Sequence, residues 1–350
     1  MQPDVIGVIE AVYHWELGVT EWMQGIVGAV RPLLDEGAGL FGMAYDASQP
    51  GRFRVEALVT AGCPAAFTAQ LGAAYEAIDE GLVRRSFLAP IPSCPGSAFA
   101  GWRESPLYKL ASGFGVEDGV GINGRDAGGT GCVLVGLRTA QVRGRSRYDR
   151  LFKQVAAHLA SGRRLRGRLA SSVPIDNVEA AEAVVAPSGR VEHAVGAATE
   201  RKALASLSAA ALAIDRARSN LRQRAPDEAL DLWRGLVGAR WTLVDRFERD
   251  GHRYFLAREN QMATRGLGLL TPRERQVVAC GALGRSTKEI AYELGISDST
   301  VRVLLLRAQR KLSAKGRADL LGRFGRSAIV DAESDEVVAA PSETNDKTDG

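Results

Sequence analysis

The chain has little with which to build a disulfide framework or a metal centre. Its four cysteines, Cys63, Cys94, Cys132 and Cys280, are scattered through 350 residues with no CxxC pair. That usage fits a reducing compartment and offers no zinc spacing. Histidine is equally scarce. His193 and His252 stand beside turns without an acidic or cysteine partner at ligand spacing, so no metal or haem role is expected. Cys132, inside the apolar run 131–135, reads as a small buried hydrophobe, and Cys94, two residues after Pro92, as exposed on a loop. A redox-sensing role for Cys94 is the alternative, and it would need a lowered thiol pKa.

The start also lacks a basic segment ahead of an apolar one, since Asp4, Glu10 and Glu16 appear before any long apolar run. Neither a signal peptide nor a membrane-spanning helix is expected, and the expected location is cytoplasmic. What is present is ordinary for a globular protein: 45% hydrophobic and 25% charged residues over a length that suggests two or three domains. The net charge of +4 is modest. Its basic excess gathers near the C-terminus, which argues against a whole-protein coat for membrane or nucleic acid.

Residues 271–321 dictate both a fold and a job. Thr271, Pro272 and Glu274 form a helix start in which threonine caps the backbone, proline takes the first helical position and glutamate reaches back. That helix should end near Leu283. Ser286 and Glu289 repeat the capping spacing; Ile290, Ala291 and Leu294 then give a short helix an apolar stripe, which Gly295 can end in a left-handed conformation. Ile296 plugs the turn. A third helix, capped from Ser297, buries Val301, Leu305, Ala308 and Leu312 and presents Arg302, Arg307, Arg310 and Lys311. Two helices joined by a tight turn, the second studded with arginine, are the geometry that places a recognition helix in the major groove. Residues 265–323 hold 12 Lys/Arg against 5 Asp/Glu, a net +7 of the sign that phosphate requires.

At these positions the chain resembles the DNA-binding domain of the LuxR family of transcription regulators. The matching residues are Leu270, Thr271, Arg273, Glu274, Arg275, Ser286, Lys288, Glu289, Ile290, Ala291, Leu294, Ile296, Ser297, Thr300, Val301, Arg302, Lys311, Leu312 and Arg317. The resemblance implies that Arg302 and Val303 approach bases, that Lys288, Ser299, Thr300 and Arg310 lie near phosphates, and that a fourth helix, about 317–324, helps two copies pair. Two departures stand out. Leu304 replaces a frequent histidine and Leu306 a frequent polar residue; Leu306, one turn beyond Arg302, should face the groove and contact a thymine methyl. The alternative places Leu304 and Leu306 in a protein interface. The run 304–312 also resembles region 4 of sigma factors.

Upstream, residues 4–34 read as one amphipathic helix, 39–46 and 52–59 as a hairpin, and 64–87 as a further helix. A Pro/Gly/Ser-rich connection spans 89–97. Residues 115–122 and 132–137 are strands around a glycine-rich loop, and a long helix follows from 146 to 169. This order resembles a GAF-type sensor domain. Arg163, Arg164, Arg166 and Arg168 on the long helix read as a solvated face, with contact to DNA or a partner subunit as the alternative. Residues 172–176 break the helix. After them come a short hairpin at 182–194, helices to about 237 and a terminal hairpin at 241–257, an outline resembling a PAS-like unit. The tail 331–350, with 7 acids and 1 lysine, should be disordered.

The fold class expected is therefore an α+β sensor region, GAF-like then PAS-like, with antiparallel sheets and flanking helices, followed by an all-α helix-turn-helix domain. The domains are 1–171, 172–260, 261–325 and a tail at 326–350. The DNA-binding residues expected are Lys288, Ser299, Thr300, Arg302, Val303, Leu306 and Arg310. Double-stranded DNA is the expected partner and a homodimer the expected state, with RNA polymerase and a small-molecule effector as open partners and no membrane, cofactor, catalytic residue or metal. Acidic-pocket phosphorylation and ATP-driven chemistry lack their residues: there is no phospho-acceptor constellation and no loop ending in Gly-Lys-Ser/Thr. The acyl-homoserine-lactone branch is disfavoured because about 265 residues precede the DNA-binding domain. Three alternatives remain at this point: a sigma-factor-like protein, a cysteine-dependent GAF-like enzyme, and an adaptor with a degenerate helix-turn-helix.

Overall fold

The computed structural model describes residues 4–49, 52–88, 93–143, 148–170, 181–247, 253–260 and 269–321. Five antiparallel strands form the first sheet: β1 (Leu40–Gln49), β2 (Arg52–Ala61), β3 (Ser93–Pro95), β4 (Asp118–Arg125) and β5 (Thr130–Arg138), in the order β2-β1-β5-β4-β3. The two-residue period of a strand sends alternate side chains to opposite faces. Leu40 and Ala44 of β1 face a core built with α1 (Val5–Val12), α2 (Val19–Leu34) and α6 (Asp149–Ala170). Phe41, Met43 and Tyr45 face a second core built with α3 (Ala65–Glu76), α4 (Glu80–Ser86) and α5 (Pro106–Ser112). The sheet is thus buried on both sides. Gly124 on β4 lets α6 lie against it, since a Cβ there would come within 2.4 Å of the Leu159 Cβ.

Two expected helices are each split in two. The segment 4–34 breaks between Tyr13 and Gly18, where the Gly18 N–H donates to Glu21 Oε2 at 3.2 Å and starts α2 afresh. The segment 64–87 breaks before Glu80 because Asp79 accepts from the Leu82 N–H at 2.9 Å. A capping side chain competes with helix continuation in this way. Within the expected loop, Ser93–Pro95 pairs with β4 as an edge strand.

A second antiparallel sheet has β6 (Ala183–Val185), β7 (Val191–Ala194), β8 (Trp241–Phe247) and β9 (Arg253–Glu259) in the order β7-β6-β9-β8. It carries α7 (Arg201–Arg218), α8 (Leu221–Arg224) and α9 (Pro226–Leu232). One apolar cluster runs from α1, α2 and α6 through α7, α9, β6 and β9. The two sheets therefore share a core. Three helices follow: α10 (Pro272–Ala282), α11 (Thr287–Leu294) and α12 (Asp298–Lys311). Among the described residues no helix is long and apolar enough to cross a membrane. The helix break at 172–176, the segment 261–268, His252 and the acidic tail lie outside the described residues.

Candidate nucleic-acid interface

Local chemistry sets the three C-terminal helices. The Thr271 N–H donates to Glu274 Oε2 at 2.8 Å while Thr271 Oγ1 accepts from the Glu274 N–H at 3.3 Å. Ser286 and Glu289 repeat the arrangement at 2.7 and 3.3 Å, and Ser297 Oγ accepts from the Thr300 N–H at 3.1 Å. Glu274 also receives Lys311 Nζ at 2.7 Å, which ties the start of α10 to the end of α12. Burial opposes ionisation of Glu274, but the Lys311 ammonium and the Thr271 donors outweigh it and hold the carboxyl below its usual range. Gly295 takes φ 60°, ψ 38° and closes α11 as expected.

The α11–turn–α12 unit is held from inside by Val277, Val278, Ile290, Leu294, Val301, Leu305 and Ala308. Leu304 joins them at 7% exposure, which counts against the alternative that placed it in a protein interface. The outer face of α12 carries Ser299, Arg302, Val303, Leu306 and Arg310, all exposed and spaced at three or four residues; Thr300 is half-buried beside them. Val303 and Leu306 are each 46% exposed. Lys288, also exposed, stands in the first turn of α11. Arg302 Nη2 lies 2.6 Å from Asp298 Oδ2 one turn back, so its guanidinium is already aligned along the helix. Residues 317–321 are helical, and the rest of the expected fourth helix lies outside the described residues.

The inner side of α11 is docked on the N-terminal α+β region, which the sequence reading missed. Glu293, fully buried, sits 3.2 Å from Arg164 Nη1 of α6, and Arg285 Nη1 approaches its other oxygen at 2.6 Å. Arg285 Nη2 also donates to the Arg125 carbonyl at the end of β4, at 2.8 Å. The Tyr292 hydroxyl donates to the Trp233 carbonyl at 2.9 Å and lies 2.8 Å from His158 Nε2, whose Nδ1 meets the Tyr13 hydroxyl at 2.8 Å. Backbone joins in as well. The Leu236 N–H donates to the Glu293 carbonyl and the Ala239 N–H to the Leu294 carbonyl, at 2.9 and 2.7 Å.

Arg168 is exposed as expected, but Arg163, Arg164 and Arg166 of α6 are no solvated face, and for them the expectation is corrected. Arg163 pairs with Glu56 and Arg168 with Glu259. Arg164 pairs with Glu293, and Arg166 donates to the Trp15 and Leu17 carbonyls. In Arg163, Arg164 and Arg166 the long aliphatic stems pack while the charged heads find internal partners. Cys94 is also corrected, because it lies half-buried in β3 rather than exposed on a loop. Burial pushes the thiols of Cys94, Cys132 and Cys280 up to about 12, and that of Cys63 upward. A nucleophilic or redox-sensing thiol needs the opposite shift.

The description of the luxR family of bacterial regulatory proteins matches residues 268–323. The spore germination protein GerE of Bacillus subtilis (strain 168) is 50% identical over 50 residues, which are 14% of this chain and 68% of that protein. Among solved structures, Escherichia coli SdiA aligns over 91% of this chain and 94% of its own, at 14% identity and a TM-score of 0.29. SdiA in complex with octanoyl-rac-glycerol aligns over 91% of each chain, at 15% identity and the same TM-score. Those likenesses are too loose to equate any element of the N-terminal region. The helix-turn-helix is another matter: with its caps, turn glycine and exposed arginine face in place and its relative matched across most of that protein's length, the chain belongs to the luxR family of bacterial regulatory proteins.

Proposed function

We propose that this DNA-binding transcriptional regulator reads DNA with the exposed face of α12 and that its sensor region sets where that face points. Arg302 and Val303 take base edges in the major groove, and Leu306 takes a thymine methyl. Lys288, Ser299, Thr300 and Arg310 take phosphates, which fix register without carrying sequence information. Two copies bind two half-sites, since one helix-turn-helix buries limited area. The sensor region comprises a GAF-like unit at 1–171 and a PAS-like unit at 172–260, and the DNA-binding domain spans 261–325. The five-strand and four-strand antiparallel sheets with flanking helices support that division.

The observation that carries this reading is the contrast between the two sides of the helix-turn-helix. Its inner side is spent on the sensor region, while the residues expected at DNA stay open. The adaptor alternative loses Leu304, which is internal, and the cysteine-enzyme alternative lacks a thiol with a lowered pKa. The test is binding of the purified chain to its own upstream DNA and to random DNA across a salt series. The expected result is tighter binding to the upstream DNA with a steep salt dependence, and a loss of about 1–3 kcal/mol of that preference in Arg302→Ala. In Lys288→Ala the salt slope should shrink by about one while the preference survives. Equal, salt-insensitive binding to both DNAs would sink the reading.

A further inference from the structure

The turn that follows α9 lies against the docked side of α11. The Tyr292 hydroxyl of α11 donates to the Leu230 and Trp233 carbonyls at 3.0 and 2.9 Å. The next residue, Arg234, is exposed at the rim of this junction, and its guanidinium stands 5.2 Å from the centroid of the Tyr292 ring. Two residues further on, the Leu236 N–H reaches the Glu293 carbonyl at 2.9 Å. Arg234 is thus held to α11 from both sides, although it stands outside the helix-turn-helix in sequence. An arginine stacked on a ring keeps its fork of N–H donors free for an anion.

Lys288 and Tyr292 are four residues apart, which puts them on one face of α11 and about 6 Å apart along its axis. Arg234 therefore extends the line that Lys288 begins. Other cations at this end of the junction are already matched. Arg150 is paired with Asp231, and Lys153 of α6 lies 3.2 Å from both Asp149 and Glu289. Arg234 and Lys288 are both exposed, and neither has a carboxylate partner among the described residues. Cations in this state are free to neutralise the phosphates of an approaching duplex.

We propose that Arg234 holds a DNA backbone phosphate beside the one at Lys288, so that the DNA footprint extends from the helix-turn-helix onto the N-terminal α+β region. The inference rests on the reading that Lys288 meets phosphate. A phosphate contact carries no base information, so Arg234 adds affinity and salt dependence while sequence preference stays with α12. The N-terminal region supplies this cation only through its dock on α11. A detached helix-turn-helix therefore binds with one phosphate contact fewer.

The test measures the affinity of the full chain for its own upstream DNA and for random DNA between about 50 and 200 mM salt. One phosphate contact is worth about 0.9 in the slope of log affinity against log salt, so the parent's advantage over Arg234→Gln should shrink roughly 3.5-fold across that range. The preference for upstream DNA should be unchanged, and Arg234→Lys should keep the parent's slope. Arg84→Gln, on α4 across the first sheet, removes the same charge at a distance and should leave the slope alone. An unchanged slope in Arg234→Gln, or an equal change in Arg84→Gln, would overturn the contact. So would a lower affinity and melting temperature at the parent's slope, because Arg234 would then only hold α11 in place. Lys288→Ala separates the inference from the reading beneath it. A smaller slope there, with none in Arg234→Gln, removes the Arg234 contact alone; no change in either removes the phosphate role of α11 as well.

Discussion

Glu293 of α11 and Arg164 of α6 form an ion pair at 3.2 Å, with side chains 0% and 4% exposed, across 129 residues of sequence. Taking two charges out of water is costly, and removing one partner leaves the other uncompensated. Glu293→Gln should therefore destabilise the chain by about 3–5 kcal/mol in urea unfolding. Arg164→Met should cost less, because Glu293 keeps Arg285 at 2.6 Å, and the double variant should cost less than the sum, because the interaction the two side chains share is lost only once. Additive losses would mean that the two side chains do not depend on each other.

Acid should loosen the same contact. Burial pushes the His158 imidazole down to about 3, against about 6.5 for the free side chain, so the folded protein holds it neutral between Tyr13 and Tyr292. The unfolded chain takes up a proton below about pH 6.5 and the folded one does not, so stability is complete above that pH and falls as pH drops toward 3. From pH 6.5 to pH 5 the expected loss is about 2 kcal/mol. Denaturant midpoints at the two values measure it, and in His158→Asn the difference should largely vanish.

Gly295 answers to two demands at once. Its φ is 60°, and a Cβ there would come 1.7 Å from the Leu236 carbonyl oxygen. Gly295→Ala should cost at least about 2 kcal/mol, from the left-handed strain and the forced retreat of residues 236–237. Gly316→Ala, with nothing within 4 Å, is the matched control and should change the melting temperature little.

For Leu306, 46% exposed on the outer face of α12, the prediction concerns a methyl group. Leu306→Ala should lower affinity for the preferred site by about 1 kcal/mol without changing the salt slope, since no charge is lost. Replacing the contacted thymine by uracil should produce the same loss in the parent chain and none in the variant. Independent losses from the two changes would show that Leu306 does not read that methyl.

How much of this was legible follows from the range of each interaction. The capping pairs Thr271–Glu274 and Ser286–Glu289 span three residues and the turn at Gly295 one, so both stood in the sequence. Leu304 was legible too. With Val301, Leu305 and Ala308 it completes an i, i+3, i+4, i+7 stripe, a signal wider than the one first read. The splits before α2 and α4 were marked by Gly18 with Glu21 and by Asp79. Glu293, Arg164 and His158 were not legible, because a lone charge or imidazole on a helix looks solvent-facing until a partner more than a hundred residues away is brought beside it.

The backbone bonds from Leu236 and Ala239 to the carbonyls of Glu293 and Leu294 have a bearing on protein engineering. A helix-turn-helix of this family invites use as a cassette, exchanged between regulators by cutting at the junction near residue 261. Here the cassette carries part of its own socket. A foreign domain grafted onto this N-terminal region would need a glycine at 295, a carboxylate at 293 and a phenol at 292 before it could seat. Without them the chimera keeps both halves and loses the fixed angle between them.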